Sequence, residues 1–546
     1  MADLESPVNR LPTPGMRRAL LIAGGAVLFA LVFFANLNIA KLVGPLNPDQ
    51  AAIALYAQEV LDGNVFLRGW ELTTVTFYTE IPLYMAAIQL FGLSLDVMRV
   101  VPAFLHTVNI FLLAGLVWKF RIRNGAWILL PVLVMALLPA GGLWSQALFG
   151  PMHHATTACG FLALLLLGPD LTLPKLNRTS AALFGIALVG TWGDLAYLFV
   201  FAFPLLVACL YAHRDQPKQQ VTAVMTVALP TLIGSILGHL LVVLMRAAGM
   251  GTPGGLEENS FVAARNVSPK ILATSQGWLD LFFPSVWGRP ANIYTLGAIM
   301  LALCFWWWVR AMVWATANRR APAIDVLCAV MPIMVFVMVI ATMRQGWENE
   351  IRMLVPSYML GVLLVSRWWQ SQESPRRNAW AMVLMLIGAL VTAYMFVKVN
   401  AATLLGSDYG QRFKQVAAFL DQKGLRHGHA DFWSGHLLRV ASGNRLQFSS
   451  LMDGSGVHLA PYYWSADAEW FVGWSSNFMV IRGQGEIPDK GAHCRADIEK
   501  AAIAYWGKPV SRYEVEGMVV LVWDEAKSIG ENEMPPKLKG KGTAPG

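Results

Sequence analysis

Long apolar runs punctuated by short basic loops constrain this chain more than any other feature. They fall at residues 19–37, 102–118, 127–138, 154–167, 181–211, 221–247, 296–315, 324–342, 353–367 and 379–397. A bilayer core about 30 Å thick asks for about 20 apolar residues per helix, so a chain written this way is an α-helical polytopic membrane protein. Composition agrees. Of 546 residues, 56% are hydrophobic and 14% charged, with mean hydropathy +0.49, more apolar surface than a water-soluble protein of this length can hide. The first run is too long for a signal-peptide core and lacks a small-residue cleavage pattern, so it reads as a retained helix.

The basic residues cluster between the runs: Arg17 and Arg18, then Lys119, Arg121 and Arg123, then Lys175 and Arg178, then Arg319 and Arg320, and lastly Arg376 and Arg377. The net charge of +8 is therefore an orientation signal and gives no reason to expect nucleic acid. Arg17 and Arg18 place the N-terminus in the cytoplasm. The stretch 181–211 is long for one helix and short for two. A turn at Trp192-Gly193-Asp194 puts nearly every basic cluster on the cytoplasmic side, so two short helices are expected, with local membrane thinning. The count becomes about eleven helices, and the long loops 39–98 and 248–294, with the short loop 343–352, face outward. Arg310, among Trp306, Trp307, Trp308 and Trp314, reads as aromatic-belt anchoring.

The membrane domain is expected over residues 1–400. From about Ser407 the pattern changes to a helix at 411–422, strand-like runs at 430–433, 446–448, 478–481 and 518–523, and a helix at 495–506. Residues 401–530 thus form a small soluble α/β domain on the outer face, and the Lys/Gly/Pro-rich end, 531–546, reads as disordered. Four of the five cysteines lie in apolar runs and only Cys494 in the soluble part, which provides no disulfide framework and no CxxC metal site.

The first outer loop is the most informative segment. Asn47-Pro48-Asp49-Gln50 reads as an N-cap, a proline at the first helical position and a capping-box Gln. Ile53, Tyr56, Ala57, Val60 and Leu61 then make one apolar stripe, as in an amphipathic helix lying on the membrane surface. A second short helix spans 82–91, with Leu83, Ala87, Leu90 and Phe91 on one face. Together they would roof a membrane-embedded cavity.

The segments Asp49-Gln50-Ala51-Ala52, Tyr56 to Asn64, Glu80-Ile81-Pro82-Leu83-Tyr84, Leu90 to Ser94 and Arg99-Val100-Val101-Pro102-Ala103 resemble the first outer loop of GT-C glycosyltransferases. That superfamily includes protein O-mannosyltransferases and the aminoarabinose transferases of lipid A, which take sugars from polyprenyl-phosphate carriers. The element Arg352 to Pro356 resembles its later basic-Pro element, and Ala430 to His436, with Gly443-Asn444-Arg445, resembles the outward C-terminal domains of bacterial members. The sequence departs from the family in two places: Asp-Glu is Asp49-Gln50 here, and Glu80-Ile81 replaces the His or Lys often found before Pro-Leu-Tyr.

The resemblance implies transfer of a sugar from a polyprenyl-phosphate donor to an acceptor hydroxyl at the outer face of a bacterial inner membrane, with Asp49 as catalytic base. Such a reaction needs a base for the acceptor proton and cations for the leaving phosphate. Arg344 and Arg352 flank an outer loop and offer guanidinium forks for phosphate, or else pair with Glu348 or Glu350. Glu80, His153, His154 and Asp194 fall at outer helix ends and are the remaining candidate substrate contacts. A monophosphate donor does not demand a divalent ion and no dense carboxylate cluster is present, so no metal and no cofactor is expected. Two other readings stay open: a lipid or sugar transporter or flippase, which would show inverted repeats or mid-membrane charges, and a non-catalytic subunit of an envelope-glycan assembly.

Overall fold

The computed structural model describes residues 14–72, 75–137, 153–253, 267–275, 293–341, 347–372, 409–482 and 498–528 with short gaps, and isolated positions between 380 and 390. Helix α1 (Pro14–Leu42) leads into a long loop carrying α2 (Pro48–Leu61), strand β1 (Trp70–Leu72) and α3 (Ile81–Phe91). There follow α4 (Val97–Lys119), α5 (Leu130–Leu137), α6 (His154–Leu165) and α7 (Arg178–Gly193). A π-helical turn, Leu198–Ala202, runs into α8 (Phe203–Ala212); α9 (Pro217–Ala223) passes through a second, Val224–Ala228, into α10 (Leu229–Ala247). Strand β2 (Thr252–Pro253) and helices α11 (Ile293–Ala317), α12 (Ala323–Ala341) and α13 (Trp347–Ser371) complete this part.

Among the described residues, four helices are long and apolar enough to cross a membrane: Ile22–Lys41, Val97–Lys119, Pro217–Ala247 and Ala323–Ala341. The expected total of about eleven is not reached there. His154–Leu165 and Leu198–Ala212 are apolar but shorter, and the run at 379–397 lies mostly outside the described residues, as does the tail 531–546. The stretch 181–211 does break, since α7 ends at Gly193 and Asp194 is extended, with φ −163° and ψ 115°.

Close approach of α7 and α10 depends on two glycines one helical turn apart. A Cβ on Gly234 would stand 2.3 Å from the carbonyl oxygen of Phe184, and one on Gly238 would stand 2.4 Å from that of Leu188. This is the small-xxx-small geometry that lets helix backbones meet where no hydrophobic effect drives them together. Elsewhere polar side chains do the joining. Asn36 of α1 donates to the Thr107 hydroxyl of α4 at 3.0 Å. Arg367 of α13 forks onto Asp325 of α12, with Nη2 donating to Oδ2 at 3.0 Å and Nε to Oδ1, and its Nη1 donates to the Phe120 carbonyl after α4. Arg310 lies 6.0 Å from the Trp306 ring and 5.8 Å from that of Trp368.

The remaining elements are α14 (Tyr409–Gln422), β3 (His427–Asp431), α15 (Phe432–Ala441), β4 (Gln447–Asp453), β5 (Leu459–Pro461), β6 (Ala466–Asp467), β7 (Ser475–Arg482), α16 (Ile498–Trp506), β8 (Ser511–Val515) and β9 (Met518–Ser528). Six strands form a mixed sheet in the order β5-β4-β3-β7-β9-β8, with β3 parallel to β4 and β7 and the other pairs antiparallel. Period-two alternation buries both faces: Phe478, Val480 and Val520 point to one core, Met479, Ile481 and Leu521 to the other, under α16. The strand expected at 430–433 stops at Asp431, because its side chain caps α15 by accepting from the Ser434 amide at 3.0 Å, and Phe432 and Trp433 are helical.

One of these cores is shared with the first long loop. Tyr56, Trp70, Leu72, Tyr84 and Leu105 cluster with Phe413, Leu437, Phe448 and Trp470. Strand β1 pairs with β2 on one side and β6 on the other, through Glu71↔Thr252 and Trp70↔Asp467, so three distant segments meet in one small sheet. This corrects the expectation for α2. It is not a surface helix with one wet face; residues Gln50 to Ala57 are buried without interruption, because α15, α3 and α4 all pack against it. The face expected of α3 is also corrected. Its buried side is Ile81, Tyr84, Ala87 and Ile88, while Leu90 and Phe91 are 76% and 61% exposed.

Candidate functional site

The helix α6 begins where three loops converge. Its preceding residue, His153, accepts from the Thr157 amide at 2.8 Å through its carbonyl, which starts the helix. The first turn then exposes backbone N–H groups that no helical carbonyl can satisfy. Two carboxylates are gathered there, as the partial positive charge of a helix N-terminus favours. Glu80 accepts from the Ala155 amide at 3.3 Å. Asp194 is bonded through Oδ2 to His153 Nδ1 and to the Thr156 hydroxyl, the latter at 2.7 Å, and accepts from the Ala196 amide at 2.9 Å through Oδ1. Glu80, His153, His154 and Asp194 are all buried.

The loop that delivers Glu80 is stapled to the end of α7. The Phe77 amide donates to the Gly193 carbonyl at 3.1 Å, and the Thr76 hydroxyl reaches the carbonyls of Trp192 and Gly193, each at 2.7 Å. The Tyr78 ring stacks on Trp192 at 5.1 Å, its hydroxyl donating to the Gly251 carbonyl at 3.0 Å. Gly193 is needed here: a Cβ would meet the Thr79 side chain at 2.5 Å. Phe77 itself sits at φ 53°, a left-handed backbone that a bulky residue adopts only when its surroundings hold it there.

The two carboxyls are driven apart in acidity. Burial pushes Glu80 up from 4.5 to about 8, the neighbouring Asp194 charge adds to the rise, and the Ala155 and His154 amides only partly oppose it. Burial also works against the charge on Asp194, but His153, the Ala196 amide and the Thr156 hydroxyl outweigh it and hold this carboxyl below its ordinary value. One acid is thus kept protonated beside another kept ionised, a pairing that supplies a hydrogen-bond donor and an anion from two similar side chains.

Further polar groups border the cluster. The His106 ring of α4 lies 6.1 Å from that of His154, and Asn109 donates to the His154 carbonyl at 3.1 Å. Tyr84, one turn after Glu80, hydrogen-bonds Gln50. Gln50 also donates to the Met98 carbonyl, a contact that an ionised Glu could not make. Asp49, the second residue of α2, is half-buried beside Gln50.

The structure therefore brings together Glu80, His153, His154 and Asp194 and puts Asp49 on the helix that reaches the group through Gln50 and Tyr84. Arg344 lies outside the described residues, and Arg352 is placed by its backbone alone, in the second turn of α13, which begins at Trp347. Thr156, Tyr78 and Gln50 were not among the expected site residues; an uncharged side chain carries no sequence signal of the carboxylate or carbonyl it will meet. Among the described residues, no group of three or more His, Cys, Asp and Glu is arranged to hold a metal ion.

No family model matches the sequence, and no curated protein matches it at a significant level. Among solved structures, ArnT from Cupriavidus metallidurans in its apo state superposes with a TM-score of 0.54 over 92% of this chain and 98% of that one, at 14% identity. At that identity the likeness is one of fold alone: a largely helical chain with apolar helices long enough to cross a membrane, followed by a strand-containing C-terminal region.

Proposed function

We propose that the protein is a glycosyltransferase that moves a sugar from a polyprenyl-phosphate carrier to an acceptor hydroxyl at the outer, periplasmic face of a bacterial inner membrane. The observation that carries the reading is the convergence of Glu80, His153, His154 and Asp194 at the N-terminus of α6, under the loop that bears Asp49, in a fold shared with ArnT. A lipid-linked donor with a lipid or glycan acceptor is the substrate class that this fold and the loop resemblance support.

In this reading Asp49 takes the acceptor hydroxyl proton as the oxygen attacks the anomeric carbon. The bond from that carbon to the phosphate oxygen breaks, and polyprenyl phosphate leaves with the electron pair. Protonated Glu80 donates a hydrogen bond to the bound sugar or phosphate, and Asp194 holds His153 in one orientation towards it. His154 borders the same space, and Arg344 and Arg352 neutralise the leaving phosphate through bidentate contacts. No metal takes part.

Purified protein incubated with a panel of polyprenyl-phosphate sugars should release polyprenyl phosphate, with and without a chelator. Asp49→Asn keeps size and capping ability but cannot accept a proton, so turnover should fall by about 10²–10⁴-fold in a folded protein. Near-normal turnover in this variant would move the base to Glu80 or Asp194, and no release from any donor would overturn the transferase reading.

A further inference from the structure

The contact between the C-terminal region and α2 contains a buried guanidinium that the reaction above does not use. Arg439, in the last turn of α15, is 3% exposed. Its guanidinium carbon lies 3.6 Å from the centre of the Trp470 ring, well within the range at which an aromatic face attracts a cation. Trp470 meets Trp70 edge-on at 4.8 Å, and Trp70 meets Tyr56 of α2 edge-on at 5.0 Å. The charges of Glu59, on α2, and Asp467, on β6, both act on Arg439.

Asp467 stands in register with Trp70 across the small sheet. Its carboxylate is so close to the first loop that a Cβ on Gly69 would meet it at 2.8 Å. One buried cation thus sits where the two regions meet, its Nε also donating to the Asn444 side chain at 3.2 Å. Trp470 and Asp467 face it from its own region, Glu59 acts on it from the loop that carries Asp49, and Trp70 and Tyr56 continue the aromatic chain into α2. A second, exposed tether lies further out, where Lys414 reaches Asp96 at 3.8 Å; such a pair contributes little.

We propose that Arg439 is a positioning residue, a latch through which the C-terminal region holds α2, and with it Asp49, in its working place. Desolvation favours the uncharged guanidine and draws the group down to about 9, with Glu59 and Asp467 opposing the shift. Retaining a charge at such a cost suits a contact that must be specific in register, since an apolar residue could slide along α2, whereas a cation drawn by carboxylates on both segments favours one register.

The latch rests on the proposed role of Asp49 only for its consequence in catalysis, so the test reads α2 directly. Amide exchange would be followed in the full-length protein in detergent for Arg439→Met and for the milder Glu59→Gln, which alters the latch from the α2 side and keeps the test usable should Arg439→Met not fold. Exchange over residues 48–57 should accelerate by about tenfold or more while the strands 475–482 and 518–528 keep their protection. Turnover at saturating donor should fall with little change in the donor KM.

Unchanged exchange over residues 48–57 in both variants would overturn the latch. Equal acceleration over the whole C-terminal sheet would also overturn it, since Arg439 would then be a part of that fold and no more. Faster exchange at α2 with normal turnover would support the latch and overturn the role of Asp49.

Discussion

Glu80 keeps its proton because the ionised form would be buried away from water beside another anion, with the Ala155 and His154 amides as too small a compensation. That has a stability consequence with a definite sign. Below 4.5 folded and unfolded chains both hold the proton. Between 4.5 and about 8 the unfolded chain ionises while the folded one does not, so stability falls as pH rises through that window. The loss should be on the order of a few kcal/mol and should be absent from Glu80→Gln, so the wild-type melting temperature should drop from pH 5 to pH 8 more steeply than the variant's. Parallel profiles would place the titration elsewhere. The residue types at this site were legible, since Glu80, His153, His154 and Asp194 are ionisable groups at helix ends in an apolar chain. Their pairing was not, because His153 and Asp194 are separated by 41 positions and Glu80 and Ala155 by 75.

Apolar length and periodicity predict the helices, and the elements differ from that pattern where a partner intervenes. The stripe along α2 fits a helix half in water; α15, from the other end of the chain, packs against it, and Gln50 to Ala57 are buried throughout. The stripe on α3 fails differently: Leu90 and Phe91 count as core by type, yet they stay exposed at the end of the helix, where lipid can take the place of a protein core. The α7–α10 contact shows what one atom decides. Gly238→Leu would drive a side chain into the Leu188 carbonyl and the Trp192 amide, and should cost about 1–3 kcal/mol or more, read as a lower melting temperature in detergent. Gly185→Ala in α7, where a Cβ meets nothing within 4 Å, is the control, and should be neutral or slightly stabilising.

Across the whole molecule, the ends of the bundle are tied by different chemistry. Glu80, His153 and Asp194 gather at one end, and the Arg367–Asp325 fork joins α12, α13 and the exit of α4 at the other. Arg367→Met would leave Asp325, wholly buried, without its counter-ion and should cost about 3–5 kcal/mol. Arg367→Met with Asp325→Leu should recover much of that in the same melting assay, which a purely steric role for Arg367 would not allow. The small sheet of β1, β2 and β6 puts the first long loop, the segment after α10 and the C-terminal region on one side. If that side is periplasmic, as the basic loops imply, a phosphatase fused after Gly546 should be active and a fluorescent protein there dark. The reverse result would put the proposed site on the wrong face.

Sequence by itself determined that this chain belongs in a bilayer, where its first long loop lies, that a second pattern of alternating strands and helices begins near residue 407, and which ionisable residues stand at helix ends. Those are local properties: apolar length, charge next to a run, periods of two and 3.6 residues. Tertiary structure alone decided that Glu80 and Asp194 share one helix N-terminus with opposite protonation, that α2 is roofed by α15, and that Arg439 and Asp467 are buried against the loop carrying Asp49. The reason is that protonation and burial depend on the summed field and contacts of segments distant in sequence, and one chain read residue by residue carries no record of which segments will meet.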